Sequence, residues 1–91
     1  MDAAVEHDPQ GRRFHTEVDG HRAEVVYRLD DGVMTLTHTG VPEAIGGRGV
    51  AASLTRAALD TARAQGWRVV AQCAYAHDYL QRHREYADLV A

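Results

Sequence analysis

Lysine is absent from this chain. All ten basic residues are arginine, which excludes lysine-based covalent chemistry such as a Schiff base. A single cysteine excludes an internal disulfide, so a reducing cytoplasm is the expected setting. No apolar run approaches the ~18–20 residues needed to cross a bilayer, and the stretch Met1–Pro9 lacks the basic and apolar regions of a secretion signal. A surplus of positive charge is missing as well. The formal net charge is −3, which argues against a general nucleic-acid footprint. Neither a nucleic acid nor a membrane is expected as a partner.

What is present is one small domain. Ninety-one residues with 45% hydrophobic content suit a folded chain that buries roughly 60–65% of its extended surface. Residues 1–12 are polar and carry Pro9 and Gly11, and they predict a loose arm ahead of a single domain over 13–91. Phe14, Thr16 and Val18 alternate along a first strand. Asp19-Gly20 predicts a type I′ hairpin turn, which needs positive φ at both positions. Ala23, Val25, Tyr27 and Leu29 alternate along a second strand. Asp30-Asp31-Gly32 marks another turn, and Val33 to Thr39 is a β-branched third strand with Met34, Leu36 and His38 on one face.

From Val50 to Gln65 the period changes to 3.6. Ala51, Leu54, Ala58 and Ala62, with Leu59, form a narrow apolar stripe, and Gly66 suits the position after a helix. Trp67 to Cys73 predicts a fourth strand, and about Tyr75 to His83 a shorter helix. The order βββαβα implies an α/β fold: a mixed sheet made of an antiparallel meander plus a βαβ unit, closed by a C-terminal helix.

Between the third strand and the long helix lies Gly46-Gly47-Arg48-Gly49-Val50-Ala51. A glycine-rich turn opening a helix leaves backbone N–H groups aimed outward at the positive end of the helix dipole, a site for an anion and most often a phosphate. Glycine lets the backbone approach a ligand or take positive φ. Arg48 adds a guanidinium able to fork onto phosphate oxygens. No Gly-Lys-Ser/Thr follows, so this is not a P-loop, and Gly-x-Gly-x-x-Gly is incomplete. A plain strand-to-helix connector is the alternative reading.

Candidate chemistry gathers on the same edge. Cys73 ends the fourth predicted strand and His38 the third, so neighbouring strands would bring a thiol, an imidazole and the glycine turn together. An imidazole titrating near neutrality suits a general base. A thiolate is the reactive form of cysteine. Either residue also suits an ordinary structural role, Cys73 as a small buried hydrophobe and His38 as a hydrogen-bonded strand histidine. Tyr75 and Tyr79 are i, i+4 partners on the last helix, as core fillers or as proton donors beside a ligand. Cys73, His77 and His83 fit neither a zinc finger nor His-Glu-x-x-His spacing, and no metal site is expected.

Thr37-His38-Thr39-Gly40-Val41-Pro42, Gly47-Arg48-Gly49-Val50-Ala51, Cys73-Ala74-Tyr75 with Tyr79, and His83-Arg84-Glu85-Tyr86-Ala87-Asp88-Leu89-Val90 occur in this order. Together they resemble the minimal GCN5-related N-acetyltransferase-like proteins of about a hundred residues, and the likeness runs from roughly Phe14 to Val90. It implies a compact acyl-CoA N-acyltransferase-like fold and acetyl-CoA as cosubstrate. By that resemblance Gly46, Gly47, Arg48, Gly49, Val50 and Ala51, with Tyr75, bind the CoA thioester. Cys73 and His38 are implied in catalysis, and Tyr79 in protonating departing CoA. Gly46 stands where the wider superfamily has Gln or Arg, and Ala71 and Arg84 where the small family commonly has Pro. The implied function is acetyl transfer to an amine acceptor that the sequence does not identify, either directly or through an acetyl group on Cys73. The alternative is a non-catalytic acyl-CoA-binding or sensing module. A monomer or weak homo-oligomer is expected.

Overall fold

In a computed structural model, residues 4–91 are described. Five strands, β1 (Glu6–Asp8), β2 (Arg13–Val18), β3 (His21–Asp30), β4 (Val33–Gly40) and β5 (Arg68–Ala71), form one sheet in sequence order. The first four are antiparallel neighbours, and β5 joins β4 in parallel. Helix α1 (Val50–Gln65) connects β4 to β5, and α2 (Ala74–Arg82) follows. Two short 3-10 segments, Glu43–Ile45 and Arg84–Leu89, complete the chain.

Local chemistry explains most boundaries. Asp19 and Gly20 sit at φ 50° and 77°, and Asp31 and Gly32 repeat those values, so both hairpins use paired left-handed residues that suit the sheet's twist. Gly66 ends α1 at φ 74° and returns its N–H to Ala62 and Arg63, as an αL cap does. Helix α1 has the predicted bounds, but its buried stripe is wider than expected and takes in Val50 and Thr55. The core lies between one face of the sheet and α1. Phe14, Val25, Tyr27, Met34 and Leu36 meet Leu54, Ala58 and Leu59 there.

Three expectations need correction. The loose arm is partly ordered, because Glu6–Asp8 pair with β2. His7 stacks on Phe14 with centroids 4.1 Å apart, and its Nε2 lies 2.7 Å from the Tyr27 hydroxyl. Residues 1–3 of that arm lie outside the described residues. The fourth predicted strand is also shorter than expected. It stops at Ala71 because the N–H groups of Gln72 and Cys73 both turn onto the Leu36 carbonyl, each at 3.0 Å. Cys73 therefore caps α2 instead of ending a strand.

The third correction concerns β4. Tyr27 pairs with Leu36 but Val26 pairs with His38, so Thr37 is one residue too many. Such a bulge reverses the in–out alternation beyond it. Met34 and Leu36 face the core, but His38 moves to the opposite face beside Val26. Thr39, opposite Val25, takes the place predicted for His38.

Candidate active site

The site forms where β4 and β5 part. Their ladder ends at Leu36 opposite Ala71, while β4 runs on to Gly40. The resulting split has Thr39 on one side and Cys73 on the other, with Thr39 Oγ1 3.4 Å from Cys73 Sγ. The same sulfur accepts the Ala76 N–H at 3.4 Å, as the N-cap of α2. His38 shares no hydrogen bond with Cys73 among the described residues. The thiol is on the helix side of the sheet and the imidazole on the open side, so the expected convergence is replaced by an arrangement across the split.

The glycine turn lies on the helix side. Gly47 and Gly49 have φ 78° and 76°, while Gly46 is extended at φ −66°. Open space surrounds the position a Cβ would take on Gly47 or Gly49. Glycine is therefore required there by backbone conformation, not by crowding. Gly49 caps α1 without any side chain, and the first turn of α1 carries no acidic residue. The N–H groups of Val50, Ala51 and Ala52 thus meet no side-chain cap and no carboxylate from the helix's own first turn, at the end of a dipole equivalent to about half a positive charge.

Two adjoining cavities of about 280 Å³ follow this edge. Val41, Ile45, Gly46, Gly47, Gly49, Val50 and Ala51 line the first. Asp78, Tyr79, Arg82 and His83 line the second. Ala52 and Tyr75 belong to both. These walls fit a long ligand with an anionic middle: bare N–H groups at the glycine turn and aromatic faces along α2. Arg48 does not point into this groove, because its guanidinium pairs with Asp19 in the β2–β3 turn. Arg82 does line it.

Tyr79 is buried against His83, with stacked rings 4.0 Å apart. Burial pushes its hydroxyl above the ordinary tyrosine range, and burial does the same for Tyr75. Thr39, Arg82 and His83 were absent from the sequence-based site. Arg82 and His83 stand three and four residues after Tyr79, the spacing that places side chains on one helix face. Thr39 has no comparable signal, because only the bulge brings it to the thiol. The described residues hold no cluster of three or more potential metal ligands, and no helix among them is long and apolar enough to cross a membrane.

Comparison with known proteins bears on the family and the fold. A family model described as GCN5-related N-acetyl-transferase matches residues 13–89. Protein NATD1 of Mus musculus is 35% identical over 82 residues, covering 87% of the chain and 74% of that relative. Its Homo sapiens counterpart is 34% identical, with 87% and 73% covered. Among solved structures, the NMR solution structure of a GCN5-like protein from Staphylococcus aureus superposes with a TM-score of 0.78. It is 27% identical and the match covers 99% of the chain and 89% of that protein.

Proposed function

The chain belongs to the GCN5-related N-acetyltransferase family, and from that premise we propose that it binds acetyl-CoA and transfers the acetyl group to an amine. The observation carrying this reading is the N-terminus of α1, without a side-chain cap or an acidic residue in its first turn, which opens on the groove beside the β4–β5 split. The N–H groups of Gly47 to Ala52 would hold the pyrophosphate. Tyr75 would flank the pantetheine arm as it passes between the two cavities. Arg48 would reach a phosphate only by leaving Asp19.

Bound acetyl-CoA supplies an electrophilic thioester carbonyl. Overall, an alkylammonium and the thioester yield an acetamide, a thiol and one proton. His38, on the open side of the sheet, would take the proton that the ammonium must lose before its nitrogen can attack. Tyr79, protonated at neutral pH as any ordinary phenol is, would supply the proton to the departing thiolate. Thr39 and the Ala76 N–H both engage Cys73 Sγ at the N-terminus of α2, an arrangement compatible with direct transfer and with transfer through an acetyl group on Cys73.

CoA and acetyl-CoA at about 100 times their Kd should stabilise the native chain by about 2.7 kcal/mol, a rise in Tm of about 10–20 °C for a domain of this size. ATP should give a smaller rise. Gly49→Ala should lower stability by about 1–2 kcal/mol through the left-handed backbone it must adopt and shrink the CoA response. A rise with ATP but none with CoA would overturn the reading.

A further inference from the structure

We propose that the acceptor is a small amine that also carries a carboxylate, and that it docks on the helix-free face of the sheet. The inference rests on the acetyl-transfer reading above. A cavity of about 620 Å³ opens on that face at the end of β4, walled by Arg13, Arg22, Glu24, Gly40, Val41 and Pro42. Val41 also walls the glycine-turn cavity, so the two spaces meet the chain at one residue.

Two guanidiniums and one carboxylate leave this cavity with one surplus positive charge. Arg13 Nη1 donates to Glu24 Oε1 at 3.2 Å, but its Nε is buried and has no partner. Arg22 closes no ion pair among the described residues, although Glu17 stands opposite it in the β2–β3 ladder. Asp8 faces Arg13 across the β1–β2 ladder, and its Oδ2 and the Arg13 Nε both lie beside Gly11, so Arg13 has carboxylates on two sides and Arg22 is the guanidinium that carries the site. The Arg22 guanidinium, without an ion pair in a concave wall, selects a planar anion, and its fork matches a carboxylate.

The far wall fixes the other end of the ligand. A Cβ added to Gly40 would lie 3.0 Å from His38 Nε2, so the imidazole rests against the cavity at its glycine wall. A carboxylate held by Arg22 would turn the ammonium toward His38 and the split. The missing side chain at Gly40 leaves room for both. Such a site prefers amino acids to simple alkylamines.

The test uses the full ¹⁵N-labelled chain, with and without saturating CoA. Glycine, β-alanine and 4-aminobutyrate are titrated beside methylamine, ethylamine and propylamine, the amines left when each carboxylate is removed. At least one amino acid should move the amide signals of Arg22, Glu24 and Gly40, and its partner amine should not. With acetyl-CoA, thiol release should show a kcat/KM at least tenfold higher for that amino acid than for its partner. Arg22→Ala should cut the preference about tenfold and leave the CoA-induced rise in Tm intact. Equal responses within each pair, or no response of these signals to any of the three amino acids, would overturn the acceptor assignment. A Tm unmoved by CoA would instead sink the acetyl-transfer reading, and the NMR titration without CoA would still decide the carboxylate site.

Discussion

Single side chains decide which face of the sheet does what. His38 and Thr39 are adjacent in sequence and point to opposite faces, so exchanging their identities would bring imidazole to the thiol and hydroxyl to the open face. Thr55 shows the opposite case, a polar group with no task. It is fully buried in α1, and its hydroxyl has no hydrogen-bond partner. An unpaired buried hydroxyl costs about 1–3 kcal/mol, whereas valine has nearly the same shape and a similar helix propensity. Thr55→Val should therefore raise stability by about 1 kcal/mol in urea unfolding, with the m-value unchanged.

At the scale of elements, the two ends of the chain are fastened by different chemistry. β1 is held by His7, whose imidazole is kept below its ordinary value of 6.5 mainly by burial, with Arg12 assisting and Asp8 opposing. The unfolded chain then takes up this proton first. Stability should be flat above about pH 7 and fall as pH drops through 6.5 toward the folded-state value. His7→Gln should flatten that slope, read from denaturation midpoints between pH 5 and 8. The C-terminal 3-10 segment is pinned to α1 by polar contacts. Arg63 grips Asp88 at 2.9 and 3.0 Å, and the Tyr86 hydroxyl donates to Asp60 at 2.8 Å. Burial and the Asp60 carboxylate push Tyr86 up to about 12. Tyr86→Phe should cost about 1.5–3 kcal/mol, the range for a hydrogen bond to a charged group. It should also remove a tyrosine that titrates about two units late in a spectrophotometric alkaline titration. Periodicity and glycine punctuation made α1, both hairpins and the glycine turn legible in the sequence. The bulge at Thr37 was not, because Thr-Leu-Thr-His-Thr keeps a strand-like pattern whether or not one residue is extra. The ordering of β1 was hidden for a related reason, since His7 reads as polar until Phe14 and Tyr27 are brought beside it.

Over the whole molecule, all helical mass lies on one side of a five-stranded sheet, and the other side carries ion pairs such as Arg13–Glu24 and Arg28–Asp30. With only two layers, the split between β4 and β5 passes through the full thickness of the sheet. A ligand in the helix-side groove does not cover the opposite mouth. If the proposed acetyl transfer holds, the extra residue at Thr37 has a kinetic meaning: the two substrates would enter by separate doors, and neither would have to wait for the other. Initial rates should follow a random-order sequential law, with double-reciprocal lines that intersect and with CoA competing against acetyl-CoA but not against the amine.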